Sequence, residues 1–98
     1  MTQEEYQKQR ALALKLTYDK VLRLFLKNKE ILEKHLTLAQ RERLGSQTKE
    51  ILVPSHAALT EAVNTLMSIF VVINKPNEQW ECERLSKYLR SWAREELR

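Results

Sequence analysis

The chain has little glycine and little proline: Gly45 is the single glycine, and Pro54 and Pro76 are the two prolines. Because these two residue types most often form tight turns and interrupt helices, their scarcity leaves few places where the backbone can change direction. Good helix formers, among them Leu, Glu, Lys, Arg, Gln and Ala, are plentiful. The composition therefore favours long helices and excludes a glycine-rich phosphate-binding loop.

Cysteine and histidine are also scarce. Cys82 is the single cysteine, so no disulfide can close within the chain and a zinc site would have no second thiolate. The two histidines, His35 and His56, lack the spacing of known metal-binding motifs. No nucleophile stands in a pattern that supplies it with a base, so we expect no enzyme activity, no metal, no cofactor and no small-molecule substrate.

Long apolar runs are absent as well. The longest unbroken one, at residues 69–73, is far shorter than the roughly 18 to 20 residues that cross a bilayer. Glu4 and Glu5 stand where a secretory signal would carry positive charge. No linker-like segment divides the chain. We expect residues 1–98 to form a single cytoplasmic domain that does not enter a membrane.

Charge of either sign is abundant, and the balance is slightly basic. Seventeen Lys and Arg against thirteen Asp and Glu give a formal net charge of +4. This excess is compatible with nucleic acids, acidic proteins and anionic surfaces as partners, and it selects none of them.

Apolar residues near the N-terminus recur at alternating steps of three and four, which predicts a helix over 3–36. These positions are Ala11, Leu14, Tyr18, Val21, Phe25 and Leu32, with Asn28 between the last two. A helix of that span would be about 50 Å long, against about 30 Å for the later ones. Either it breaks near Asn28, or its overhanging end packs on another chain.

A short helical segment over 37–52 is predicted to connect this helix to the next. Thr37 and Gln40 have the spacing of a capping box at a helix start. Gly45 suits a left-handed C-terminal cap after Leu44.

Two further helices are predicted over 55–74 and 77–97, with Ser55 and Asn77 as their N-terminal caps. The fold class is therefore all-α: a small bundle of three main helices, 3–36, 55–74 and 77–97, plus the connecting helix. Because the connections are short, we expect antiparallel, up-down packing.

The connection also resembles the turn of a helix-turn-helix at Leu44, Gly45 and Ser46. Arg41 stands where that tight crossing needs a small residue, and Pro54 would shorten the recognition helix to about two turns. A plain interhelical turn is the interpretation that we favour.

The last predicted helix gives the best functional signal. A helical wheel places Cys82, Leu85, Tyr88, Leu89, Trp92 and Ala93 on one side, which we expect to pack inward. An opposing arc begins at Trp80, is interrupted only by Glu83, and holds the candidate binding residues Arg84, Lys87, Arg90, Arg94 and Arg98. These cations, with Trp80 for stacking, suit phosphates or an acidic protein groove.

A solvated outer face explains the same arc and is the interpretation to which we give more weight. The acids precede the cations, in the order that the helix dipole favours, and Glu95 and Glu96 dilute the positive charge. A second basic row, Lys20, Arg23 and Lys27, lies beside the apolar stripe of the first helix. These residues either extend the basic surface of the last helix, or only pack their aliphatic stems around the edge of the core with the charged groups in solvent.

Two functional hypotheses follow. The first is a non-enzymatic helical interaction module, a protein-protein adaptor or regulator that binds a protein partner or associates with itself as a homodimer. The alternative is a small basic accessory protein that binds nucleic acid through the basic face of the last helix.

Overall fold

The computed structural model describes residues 2–48 and 55–96, and within them it contains five α-helices and no strand. The helices are α1 (Gln3–Lys27), α2 (Lys29–His35), α3 (Leu38–Thr48), α4 (His56–Val72) and α5 (Pro76–Glu96). The predicted all-α class is confirmed. None of these described helices has both the length and the apolar character that crossing a bilayer requires.

The helix predicted over 3–36 is broken at Asn28, which separates α1 from α2. The Asn28 side chain is buried, and its Nδ2 donates a hydrogen bond to the Leu24 carbonyl at 3.0 Å. Its Oδ1 accepts a hydrogen bond from Lys75 Nζ at 3.0 Å. Of the two alternatives for the length mismatch, the break is the one that the structure shows. It occurs at Asn28 because this side chain competes for hydrogen bonds with helix backbone groups.

Two predicted helix starts are confirmed. The Thr37 N–H donates to Gln40 Oε1 at 3.0 Å, and the Gln40 N–H donates to Thr37 Oγ1 at 3.2 Å, which completes the capping box. Ser55 Oγ accepts from the Ala58 N–H at 3.1 Å at the start of α4. Each cap joins residues three positions apart, so the local sequence is sufficient to predict it.

The predicted C-terminal cap at Gly45 is wrong. α3 continues to Thr48, and Gly45 lies inside it without a positive φ. A single glycine inside a helix costs only about 1 kcal/mol, so it does not end a helix whose backbone ladder continues. The turn expected at Leu44, Gly45 and Ser46, in either its plain or its helix-turn-helix form, is therefore not there. Residues 49–54 of the predicted connection lie outside the described residues.

The predicted cap at Asn77 is also wrong, because α5 begins one residue earlier, at Pro76. Asn74 takes the left-handed conformation, with φ of 57°, at the end of α4. The Lys75 N–H donates to the Phe70 carbonyl and the Asn74 N–H to the Val71 carbonyl, at 2.9 and 3.2 Å. This Schellman motif ends α4, and proline suits the first position of the helix that follows.

One hydrophobic cluster receives side chains from all five helices. α4 and α5 make the most extensive contact, and α1 also contacts α4, α3 and α2. The buried residues include Leu14, Tyr18, Val21 and Leu24 of α1, Leu59, Leu66 and Phe70 of α4, and Cys82, Leu85 and Leu89 of α5. This core fixes which faces of α1 and α5 stay outside.

The carboxylate of Glu78, in the first turn of α5, is buried beside α1. It forms a salt bridge with Lys27, whose Nζ lies 3.2 Å from Glu78 Oε1. Burial acts to raise the pKa of Glu78, but the hydrogen bond from Lys27, its own backbone N–H, and the charges of Lys27 and Lys75 outweigh it. The pKa therefore lies below its usual value.

Replacing Gly45 with alanine is expected to stabilise the protein. The position is helical, and an added Cβ at Gly45 would meet no other atom within 4 Å. Alanine loses less backbone entropy, so the free energy of unfolding should rise by about 0.5–1 kcal/mol. Urea unfolding followed by circular dichroism measures this. A loss of stability would contradict the helical conformation at Gly45.

Replacing Glu78 with glutamine is expected to destabilise the protein near neutral pH by about 1–2 kcal/mol, since it removes a charged hydrogen-bond partner. A lowered folded pKa means that this contribution is present above the ordinary glutamate pKa and is lost as pH falls through the folded value. The variant should therefore lose less stability than the wild type on acidification. Urea unfolding of both proteins, at neutral pH and at an acidic pH, measures this difference.

Glu4→Gln is the matched control, because Glu4 pairs with Lys8 at an exposed position, 3.7 Å away. An exposed pair contributes little, so this variant should unfold like the wild type at both pH values. Equal effects of the two substitutions would show that the buried position of Glu78 has no importance.

Candidate functional site

The described candidate residues of the predicted basic arc are all exposed on α5. Trp80, Arg84, Lys87, Arg90 and Arg94 lie at the surface, and Arg98 lies outside the described residues. The Trp80 side chain is 59% exposed. The guanidinium of Arg84 lies over its ring, 4.9 Å from the ring centre, in a cation–π contact.

The structure does not bring these cations to one place. Arg84 lines a cavity between α5 and α1. Arg90 lines a different cavity, between α5 and α4, and its Nη2 donates to Ser86 Oγ at 2.9 Å. The predicted arc is therefore divided between two sides of α5.

The cavity beside Arg84 continues into a second one, and together they form a groove between α1 and α5. Their volumes are about 400 and 250 Å³, and Ala13 and Tyr88 line both. We call this surface the α1–α5 groove and define it by the residues that characterise it: Tyr6, Ala13, Leu16, Lys20, Arg84 and Tyr88. It places the N-terminal half of α1 beside the C-terminal half of α5.

Large apolar side chains are exposed along this groove. Leu16 is 55% exposed, Tyr88 45% and Tyr6 46%. Leu12, one turn before Leu16 on α1, is 58% exposed and lines neither cavity. The prediction that Tyr88 packs on the inner side of α5 is wrong, whereas the burial of Cys82, Leu85 and Leu89 is confirmed. Several exposed apolar residues grouped on one surface are typical of an interaction site.

Positive charge accompanies the apolar residues. Lys20, Arg23 and Arg84 line the same cavity, together with a single carboxylate, Glu81. Arg23 Nη2 lies 2.9 Å from Glu81 Oε1. Two members of the second basic row, Lys20 and Arg23, therefore extend the basic surface of Arg84, and the third, Lys27, pairs with Glu78 instead.

The cavity between α4 and α5 has a volume of about 690 Å³ and is lined mainly by polar side chains, including Thr60, Asn64 and Arg90. At its edge, His56 Nε2 lies 2.6 Å from the Leu89 carbonyl oxygen, and its ring meets Trp92 edge-on at 6.2 Å. These contacts join the start of α4 to α5. They give His56 a packing role.

Cys82, the single cysteine of the chain, is buried in the core. Burial, followed by the charges of Glu81, Glu78 and Glu83, raises the pKa of the Cys82 thiol to about 12. Cys82 is therefore a neutral, packed thiol near neutral pH. Among residues 2–48 and 55–96, no three His, Cys, Asp or Glu side chains group as a metal site would require.

Comparison with known proteins adds no relationship: the chain matches no protein-family model, no curated protein sequence and no solved structure. The α1–α5 groove is therefore the surface from which a function is inferred. The sequence showed cations on both of its helices and left open whether they form one surface. The sequence signal that points to the groove is Leu16, an apolar residue that lies outside the apolar seam of α1 and one turn before Lys20.

Cys82 is expected to resist thiol reagents in the folded protein. The thiol is fully buried and its pKa is raised, so the thiolate fraction near neutral pH is very small. Labelling by a chromogenic disulfide reagent should proceed at the rate of unfolding and accelerate strongly in urea. Rapid labelling without denaturant would contradict the packing of α5.

Proposed function

We propose that the protein is a non-enzymatic interaction module, an adaptor or regulator that binds a protein partner in the α1–α5 groove. The observation that carries this proposal is the grouping of Leu16 and Tyr88, both about half exposed, with Lys20 and Arg84 in one cavity. Protein interfaces combine apolar contacts with a charged rim in this way. We place its action in the cytoplasm, as a single domain.

The bundle proposed for this module consists of α1, α4 and α5, with α2 and α3 as the connection, and α5 runs antiparallel to both α4 and α1. The short turn between α4 and α5 supports the arrangement of that pair. The two ends of α1 support the same arrangement for α1 and α5: Lys27 pairs with Glu78 at the start of α5, whereas Tyr6 shares a cavity with Glu95 near its end. In this bundle α1 and α4 run in the same direction.

Burial of the exposed groove residues supplies the driving force for binding. Complete burial of a leucine or aromatic side chain contributes about 1.5–3 kcal/mol. Leu16 and Tyr88 already have part of their surface covered, so each gains less. Together with Tyr6, which lines the second cavity, they suffice for a small cluster of residues that dominates the binding energy. A second copy of this chain is the homodimeric form of the same hypothesis.

The alternative function is nucleic-acid binding through Arg84, Lys87, Arg90, Arg94 and Arg98, with Trp80 for stacking. The specific observation in its favour is that Lys20 and Arg23 of α1 line the same cavity as Arg84, which widens the cationic surface. Binding would then weaken steeply with salt. Replacing Arg84, Arg90 and Arg94 with alanine would reduce that salt dependence.

The module is tested by capture of a partner with two matched variants, Leu16→Glu and Leu26→Glu. Both positions are exposed leucines of α1, at 55% and 59%, and Leu16 lines the groove whereas Leu26 does not. We expect Leu16→Glu to reduce the partner captured from the native host by about tenfold, which is typical for a residue at an interface centre. Leu26→Glu should capture as much as the wild type.

Nuclease treatment of the bound fraction separates the two functions. A partner that stays bound after treatment and depends on Leu16 supports the protein-binding module. Release of the bound material by nuclease favours the alternative. Equal capture by the two variants, at equal helicity, would show that the groove is not the binding site.

A further inference from the structure

We infer that the occupant of the α1–α5 groove is an acidic amphipathic helix of the partner protein. This inference rests on the proposed function and adds the conformation and the charge of the bound segment. Three features of the groove support it: the helical backbone on both sides, its length, and the sign of its charge.

The walls of the groove favour a helix over an extended peptide. α1 and α5 are both α-helices, so their backbone N–H and C=O groups are hydrogen-bonded within each helix. No strand edge exists among the described residues to which an extended peptide could add. An extended segment would leave its own backbone groups unpaired against Leu16 and Tyr88, whereas a helix satisfies them internally.

The length of the groove matches a helix of several turns. Along α1 it runs from Tyr6 to Lys20, a rise of about 21 Å at 1.5 Å per residue, which corresponds to about four turns. Tyr6, Ala13 and Leu16 lie along this path. A partner helix with apolar residues at spacings of three and four would pack its stripe against them and against Tyr88.

The charge of the groove selects acidic residues at the edges of that stripe. Lys20 lies on α1 and Arg84 on α5, and neither makes an ion pair with a carboxylate within the described residues. Arg23 is already paired with Glu81. Carboxylates on the flanks of a bound helix would pair with Lys20 and Arg84, which favours acidic over basic segments and accelerates association.

The composition of the groove disfavours the two other occupants. A two-fold related copy would bring Lys20 and Arg84 of both chains to one interface, and the chain carries a net charge of +4. Phosphates would pair with the cations but would gain nothing from the exposed apolar side chains of Leu16 and Tyr88. An acidic protein helix uses both the cations and the apolar residues.

Selection from a displayed library of helix-forming peptides tests this inference. The peptides of the library have randomised residues at every solvent-exposed position of the peptide helix. The library is selected for binding to the wild-type protein. We expect the enriched peptides to have Asp or Glu beside an apolar stripe of helical spacing. Their affinity, measured by fluorescence anisotropy, should fall about tenfold or more with Leu16→Glu.

Charge reversal then tests the pairing. Arg84→Glu should weaken the enriched peptides by about five- to tenfold, and exchange of the peptide's acidic flank for lysine should restore binding to this variant. Lys87→Glu is the matched control, because Lys87 is an exposed cation of α5 that does not line the groove. It should leave the affinity within about twofold of the wild type.

The outcomes separate the failure of this inference from that of the proposed function. Peptides that depend on Leu16 but lack carboxylates would overturn the acidic helix and leave the docking groove intact. Enrichment of no Leu16-dependent peptide would overturn both. An equal loss with Lys87→Glu would show general charge attraction and overturn the pairing. A dimer that Leu16→Glu dissociates, seen by sedimentation, would make a second copy the occupant.

Discussion

The hydrogen bond between the buried amide of Asn28 and the ammonium of Lys75 holds together the corner on which the rest of the surface depends. It joins the end of α1 to the turn before α5. Two ion pairs then connect α1 to α5: Lys27 with Glu78, and Arg23 with Glu81. Glu78 and Glu81 follow Lys75 by about one and two helical turns along α5. Because buried polar groups are costly to leave unpaired, this corner fixes where α1 ends and on which side α5 starts.

The α1–α5 groove begins at the Arg23–Glu81 pair, because both residues line the first of its two cavities. α5 makes its extensive contact with α4, and the aliphatic core takes Leu85 and Leu89 but leaves Tyr88 exposed. α1 buries Leu14, Val21 and Leu24 and leaves Leu12 and Leu16 outside. Each helix thus has exposed apolar residues in addition to those that it buries in the core. The contacts around Asn28 and Lys75 hold α1 beside α5, so that exposed apolar residues of both helices line one groove. Exposed apolar residues grouped in this way are typical of interaction sites, which is why we propose a binding role.

The sequence predicted those features whose partners lie close together in the chain. The capping box of Thr37 and Gln40 and the cap at Ser55 each involve residues three positions apart, and both are present. The apolar periodicity predicted the helical class and the inner faces of α1 and α5. Gly45 and Asn77 were misassigned, because glycine and asparagine are common at helix ends but do not determine where the backbone ladder stops.

The features that the sequence did not predict depend on distant contacts. Asn28 was recognised as a polar residue in an apolar seam, but its burial depends on Lys75, 47 positions later. Lys20, Arg23 and Arg84 were assigned to two separate basic rows, and only the packing of α1 beside α5 places them in one groove. Pattern reasoning on a single helix shows which residues face outward, and it does not show which outward faces meet.

The central claim is that the N-terminal half of α1 runs beside the C-terminal half of α5. Paramagnetic relaxation enhancement tests it most directly, with a nitroxide on Ser91→Cys, an exposed position that lines the groove. The buried thiol of Cys82 leaves the new cysteine as the reactive one. The account predicts strong broadening of the backbone amides at residues 6–13. Sharp, unperturbed signals there, in a folded and fully labelled protein, would contradict it.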